Sequence, residues 1–338
     1  MREDEILILR GDEIEKLLEG HERDIMERVR KAYEYHSLGM DVLPHSSFLH
    51  FPDDSRNRII ALPAYLGGDF GIAGIKWVSS FPGNLSRGLQ RASGIVILNS
   101  MQTGRPEVLL EASVINAKRT AASAALAAQC LSTSTDRVSV IGCGIIGFEI
   151  IRFLRVLYQG LNRLTIYDLD SARAKHFQRR CLESLGFEHV EIVSELTSVL
   201  HASPLISFAT TAPEPYIHSL STLSPGTTVL HVSLRDLSPE VILNSENIVD
   251  DIDHVCRART SLDLAQQMTG NRDFIRGTLA DVFLANITLD NSGKLRIFSP
   301  FGLGVLDLAV GTLVRELGIT QQKGIILESF SPAVWADA

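Results

Sequence analysis

Apolar positions along the chain follow two different periods, and the change comes near residue 138. Before it, Asp12 to Ser37 carries apolar residues at helical spacing and predicts a helix. Strand-like runs follow at Arg58 to Leu62, Gly71 to Ser79 and Gly94 to Leu98, separated by the turn signals GGDFG and FPGN. That mixture predicts an α+β region. From Val138 onward the apolar runs VSVIG, LTIYD, VEIV, LISFAT, TVLHVS and NIVDD alternate with helical segments, which predicts successive βαβ units and a parallel sheet. Between the two regions lies EASVINAKRTAASAALAAQCL, Ala-rich and free of Gly and Pro, the composition of one continuous joining helix. Ser299 to Gly318 reads as a Pro- and Gly-punctuated loop followed by an apolar helix, GVLDLAVGTLVREL, able to pack back on the first region.

A length of 338 residues suits about two domains of ordinary size. The formal charge of -8 and the absence of Lys/Arg runs longer than pairs such as Arg179–Arg180 exclude the electrostatic footprint of a nucleic-acid binder. Any small anionic partner must then be held by single placed cations. Cys130, Cys143, Cys181 and Cys256 form no CxxC pair and sit in apolar or helical settings, so they read as reduced structural thiols and no metal is expected. The acidic, amphipathic start is no signal peptide, and no apolar run approaches the roughly 18 residues of a membrane span. A soluble, cytoplasmic protein with no membrane contact is expected.

The most informative stretch is VSVIGCGIIG, where three glycines interrupt an apolar run just before the helical FEIIRFLRVL. In a βαβ unit Gly142 permits the strand-to-helix turn, Gly144 lets the backbone approach a pyrophosphate, and Gly147 allows close helix packing, with the helix N-terminus offering free N–H groups. The next strand ends in Asp168, 21 residues after Gly147, placed to accept hydrogen bonds from a ribose 2′-hydroxyl. A carboxylate there repels a 2′-phosphate. NAD is therefore the expected cofactor, although Arg173 lies close enough in sequence to favour NADP instead.

Three further stretches carry charge into apolar surroundings. Lys76 interrupts a strand-like run in GIKWVSS and is either an exposed strand lysine or a substrate contact. Arg119, in NAKRTAAS, is either a helix-surface arginine or a bidentate carboxylate clamp. Asp236, in LHVSLRDLSPE, follows a strand end where ligand-binding residues gather in an open α/β sheet, or else it caps the helix begun by SPEVI.

In order, GIKWVSSFPGN, EASVINAKRTAAS, IGCGIIG, a strand ending in Asp168, ATTAPEPYI and SLRD resemble the ornithine cyclodeaminase and mu-crystallin family over nearly the whole chain. The resemblance implies an NAD-binding Rossmann-type doubly wound parallel sheet over 126–312. It also implies an α+β substrate-binding and dimerisation domain built from both chain ends, 1–125 and 313–338, and hence a homodimer. It assigns Lys76 and Arg119 to the substrate carboxylate and Asp236 to catalytic acid/base work. Ile145 and Ile146 of the glycine loop, with Thr120, Thr210, Thr211 and Ser233, are expected to line the cofactor. Within the family, LSRGLQRASGIVILN, RIIALPAYLGG and IFSPFGLGVLDLA are most similar to the branch that makes L-2,3-diaminopropionate, of the staphyloferrin B pathway type. That branch oxidises N-(1-amino-1-carboxy-2-ethyl)-L-glutamate with NAD and hydrolyses the product to 2-oxoglutarate and 2,3-diaminopropionate. Two departures matter. Near Ala61 the cyclodeaminases carry a glutamate that is absent here, so ornithine cyclisation is not expected. His50 stands where a further carboxylate-binding arginine is expected, and Arg58 or Arg91 then takes that role.

The chemistry asks for a deprotonated nitrogen, a fixed carboxylate and a nicotinamide against one face of the α-carbon, followed by attack of water on the ketimine. Asp236 can serve each proton transfer, while Lys76 and Arg119 pin the carboxylate and stabilise negative charge. His45, His50, His231 and His254 are read as structural. Arg58, Lys76, Arg91 and Arg119 together favour an amino dicarboxylic substrate. A ketimine reductase or amino-acid dehydrogenase and a non-catalytic nucleotide- and ligand-binding protein are the alternatives.

Overall fold

A computed structural model describes residues 4–132, 136–289 and 293–330, so the domain limits at residues 1 and 338 lie outside the described residues. The chain forms two compact units, one of residues 1–119 with 303–338 and one of residues 120–302. It opens with β1 (Ile6–Leu9), α1 (Gly11–Leu17) and α2 (Glu22–Ser37). The helix expected from Asp12 to Ser37 is thus two helices, because the chain turns at Gly20, whose φ of +79° is open to glycine but strained for other residues. Next come β2 (Asp41–Val42), β3 (Ser47–Phe51), β4 (Asp54–Leu66), β5 (Ile72–Ser80), β6 (Ala92–Asn99), β7 (Pro106–Glu111) and α3 (Ala112–Leu131). As the Ala-rich run predicts, α3 is unbroken over 20 residues and carries the chain from the first unit into the second.

The second unit alternates strands and helices: β8 (Arg137–Ile141), α4 (Ile145–Leu157), β9 (Arg163–Tyr167), α5 (Ser171–Leu185), β10 (His189–Ile192), α6 (Leu196–Ala202), β11 (Leu205–Phe208) and β12 (Thr228–His231). It continues through α7 (Pro239–Leu243), β13 (Glu246–Val249), α8 (Ile252–Val255), α9 (Ser261–Thr269), β14 (Ile275–Thr278), α10 (Leu279–Phe283) and β15 (Arg296–Ser299). Its sheet runs β10-β9-β8-β11-β12-β15-β13-β14, with parallel ladders throughout. This is the doubly wound architecture expected. Order reverses between β8 and β11, so the crevice beyond their carboxyl ends is where such sheets bind ligands. Fully buried Ile206, Phe208, Val229 and Ile297 fill the core beside it.

Finally α11 (Gly304–Thr320) and β16 (Ile325–Leu327) return to the first unit. The unit limits fall at 119/120 and 302/303 rather than at the 125/126 and 312/313 expected, because α11 belongs to the first unit along its whole length. The first unit's sheet runs β16-β1-β7-β6-β5-β4-β2, with β3 also on β4. The register pairs Leu62 with Lys76 and Lys76 with Val96, so these side chains share one face. The same face carries buried Leu98, Val108 and Leu110 and packs against α11. Each such apolar side chain contributes about 1.5–3 kcal/mol on burial, enough to hold a charged lysine among them if its charge is met. The opposite face shows Ala61, Ile75, Trp77 and Ile97 with part of their surface open, Trp77 being 38% exposed.

Candidate functional site

The glycine-rich turn has the geometry the sequence implies. Gly142 has φ +97°, and a Cβ there would lie 2.5 Å from the Ala209 carbonyl oxygen. A Cβ on Gly147 would lie 2.6 Å from the Gly142 carbonyl, so this helix packs against its own turn only as glycine. Gly144 differs: a Cβ on it would meet nothing within 4 Å, and Gly144 is the N-cap of α4 without a side-chain cap. Nothing therefore crowds the start of α4 at Gly144, as a pyrophosphate cradle on the first-turn amides requires. Asp168 follows β9 and accepts hydrogen bonds from the Cys143 amide at 2.8 Å and the Asp170 amide at 2.9 Å, which fixes its carboxylate beside the turn. Arg173 is held toward Asp170 at 3.8 Å. These residues fit a dinucleotide whose ribose hydroxyls meet Asp168. Burial and the Asp168 carboxylate push the Cys143 thiol well up, so the cysteine inside the turn is a packing group.

Beyond β12, Asp236 is wholly buried. Ser238, not Asp236, is the N-cap of α7, which removes the helix-cap reading. The Asp236 carboxylate collects donors: the Thr210 and Tyr216 hydroxyls on Oδ1, the latter at 3.1 Å, and the Ser233 hydroxyl on Oδ2. His231 Nε2 lies 3.3 Å from Oδ2, while its Nδ1 meets Ser299 Oγ at 3.2 Å. Burial pushes the carboxyl up, but the contacts with His231, Ser233 and Thr210 outweigh burial and hold it below the usual carboxylate range. Leu234, two residues before it, takes a left-handed φ of 68°, a strained conformation of the kind that gathers at functional sites.

This arrangement brings four residues to one carboxylate. Thr210 and Ser233, expected to line the cofactor, also donate their hydroxyls to the Asp236 carboxylate. His231 was read as structural, yet it adjoins the carboxylate. Tyr216 was not singled out at all. It is 38% exposed while Asp236 has no exposed surface, and its hydroxyl donates to the buried carboxylate. Thr120 is buried on α3 and Thr211 is exposed. Of the other histidines, His254 lies in α8 and donates its backbone N–H to the N-cap carboxylate of Asp251, and His50 stacks on Phe48 beside Arg58 in the β3–β4 ladder.

In the first unit Lys76 and Arg119 converge on a residue the sequence reading missed. Lys76 Nζ donates to Asp307 Oδ2 at 2.6 Å and to Asn116 at 3.1 Å; Arg119 donates to Asp307 Oδ1 at 3.2 Å and to Asn116 at 2.6 Å. Asp307, on the apolar α11, is fully buried, and Lys76 and Arg119 are nearly so. The exposed-lysine and surface-arginine readings are both excluded. The signal was present: one aspartate in GVLDLAVG, an otherwise apolar helix. Burial and the neighbouring Arg119 bring Lys76 down to about 8 from an ordinary 10.5, against the upward pull of Asp307. Arg58 and Arg91 stand further along the same ladder.

The chain matches the model of the ornithine cyclodeaminase/mu-crystallin family over residues 5–321. It is 26% identical to the N-((2S)-2-amino-2-carboxyethyl)-L-glutamate dehydrogenase of Staphylococcus aureus, across 96% of this chain and 99% of that protein. It is equally 26% identical to the alanine dehydrogenase of Archaeoglobus fulgidus, with the same coverage of both. An archaeal alanine dehydrogenase dimer with bound NAD superposes with a TM-score of 0.85 at 25% identity, covering 96% of this chain and 99% of that one.

Proposed function

The chain belongs to the ornithine cyclodeaminase/mu-crystallin family, and from that premise we propose that this NAD-dependent oxidoreductase oxidises the α-carbon–nitrogen bond of an N-substituted amino dicarboxylic acid, a glutamate whose nitrogen carries a further amino-acid group, and hydrolyses the ketimine formed. N-(1-amino-1-carboxy-2-ethyl)-L-glutamate is the substrate this reading favours, with 2-oxoglutarate and L-2,3-diaminopropionate as products. The dehydrogenase of S. aureus supports it by kinship. The observation that carries it is the donor-ringed, ionised Asp236 beyond β12, in the unit with the glycine turn.

Bound NAD supplies the acceptor for the hydride that leaves the α-carbon. The residues of this chain do the rest. Gly144 and the amides of Ile145 and Ile146 hold the pyrophosphate, and Asp168 holds the ribose. Lys76 and Arg119 offer the N–H groups not engaged by Asp307 and Asn116 to the substrate carboxylate, with Asp307 fixing both side chains. Asp236, reached through the Tyr216 hydroxyl, takes the amine proton and passes it outward by that route; it then takes a proton from the attacking water and returns it to the departing amine. The ornithine reading is disfavoured by Ala61, and the alanine reading by the surplus of cations in the first unit. The archaeal dimer supports a homodimer, and we assign its contact to the half-open sheet face around Trp77 and Ile75 because that face is left part-exposed. The test is NADH formation by purified protein with the glutamate–diaminopropionate adduct, L-alanine and L-ornithine compared side by side. Turnover of alanine in preference to the adduct would replace this reading by an amino-acid dehydrogenase. Nucleotide binding with no turnover of any amine would replace it by a binding protein.

A further inference from the structure

Arg58 lies on β4 opposite Ser80 of β5, and Arg91 immediately precedes β6, whose Ala92 pairs with the same Ser80. Arg91 donates to Ser80 Oγ at 2.8 Å, which leaves the serine hydroxyl free to donate onward. Arg58 Nε is buried without a hydrogen-bond partner, and among the described residues neither guanidinium has a carboxylate partner. Burial lowers the pKa of both, and Arg58 adds to the effect on Arg91, so two like charges share a partly desolvated place. The contrast with the Lys76 centre is sharp, for there a buried aspartate balances part of the positive charge. Ser80 also stands four residues beyond Lys76 on one face of β5, about 13 Å along the strand, which makes this a separate position.

We propose that Arg58, Arg91 and Ser80 form a second anion subsite, which takes the distal carboxylate of the substrate and sets the preference for dicarboxylic over monocarboxylic amino acids. The proposal rests on the reading of the previous section, but its test needs no turnover. A planar carboxylate would accept the forked N–H groups of two guanidiniums and the serine O–H at once, and would supply the counter-charge the fold omits.

Binding of glutarate, acetate and inorganic phosphate to the NADH-loaded protein, measured by calorimetry and by thermal shift, provides the test. Wild type is expected to bind glutarate about tenfold or more tightly than acetate. Arg91→Gln and Arg58→Gln are expected to erase that preference while leaving acetate binding and NADH affinity unchanged. Should either glutamine variant fail to fold, Arg91→Lys, which keeps the charge but loses the fork, is expected to weaken glutarate alone. Equal binding of glutarate and acetate by wild type would overturn the proposal, as would equal loss of both in the variants, which would put the arginines on the same carboxylate as Lys76. Phosphate binding as tight as glutarate would also overturn it, marking a general anion site. If glutarate binds as expected but no adduct is oxidised, the subsite stands and the proposed reaction falls; the reverse outcome separates them the other way.

Discussion

Replacing Asp307 by asparagine keeps the size of the side chain and removes the one negative charge between Lys76 and Arg119. The pair is buried, with Lys76 Nζ at 2.6 Å and Arg119 Nε at 3.2 Å from its two oxygens, so water cannot take over the lost partner. Removing one member of such a buried pair costs about 3–5 kcal/mol. For a domain of this size that corresponds to a fall in Tm of roughly 6–20 °C, at about 2–4 °C per kcal/mol. Asp307 also pulls the Lys76 pKa up, so its loss drives Lys76 toward the neutral amine at pH 7 and weakens substrate binding. Lys76→Met added to Asp307→Asn is expected to regain part of the stability, because an uncompensated charge is replaced by an apolar chain. The wild-type pH dependence follows from the same group. With a folded pKa of about 8 against 10.5, the unfolded chain holds the proton across that window and the folded chain does not, so the contribution of Lys76 to stability rises with pH between those values. Substrate binding runs the other way: KM is expected to rise above about pH 8 as the ammonium is lost. Thermal melts and KM profiles of the three proteins provide the assay. A wild-type melting temperature for Asp307→Asn, with KM unchanged, would refute the claim that Asp307 holds this centre together.

Three further outcomes are expected. NAD(H) should bind about tenfold or more tightly than NADP(H) because the fixed Asp168 carboxylate repels a 2′-phosphate; calorimetry giving equal affinities would move the recognition to Arg173. Tyr216→Phe should lower kcat by about tenfold or more and shift its pH profile with NADH affinity retained, since the hydroxyl that the part-exposed tyrosine donates to Asp236 is lost; an unchanged profile would leave Thr210 or Ser233 as the path. Trp77→Glu should dissociate the dimer in analytical ultracentrifugation, and a wild-type sedimentation coefficient would move the interface elsewhere.

The second unit was legible because its signals are local. An apolar run, a glycine turn whose steric demands are met at Gly142 and Gly147, and a strand-end aspartate all fall within about 30 residues. β14 and β15 escaped notice: each is four residues long, and β15 enters the sheet between β12 and β13 out of chain order, which no local pattern encodes. The site was less legible for the same reason. Asp307 meets Lys76 across 231 residues of sequence, so nothing near GIKW announces the partner, although a carboxylate inside an apolar helix demands one. Tyr216 and His231 read as an ordinary loop tyrosine and strand histidine until the fold brings both to Asp236. Arg58 and Arg91 stand out in the sequence as candidates to bind a carboxylate, but only the β4–β5–β6 register shows that they sit together.

The central claim is that Asp236 is the proton acceptor in NAD-dependent oxidation of the glutamate–diaminopropionate adduct. The most direct measurement is initial NADH production from that adduct by wild type and by Asp236→Asn, with NAD affinity determined for both. The account predicts turnover by wild type, a loss of about 10² to 10⁴ in rate for the variant, and near-equal NAD affinity. Wild-type turnover by Asp236→Asn, or no NADH from the adduct with the wild-type protein, would contradict it.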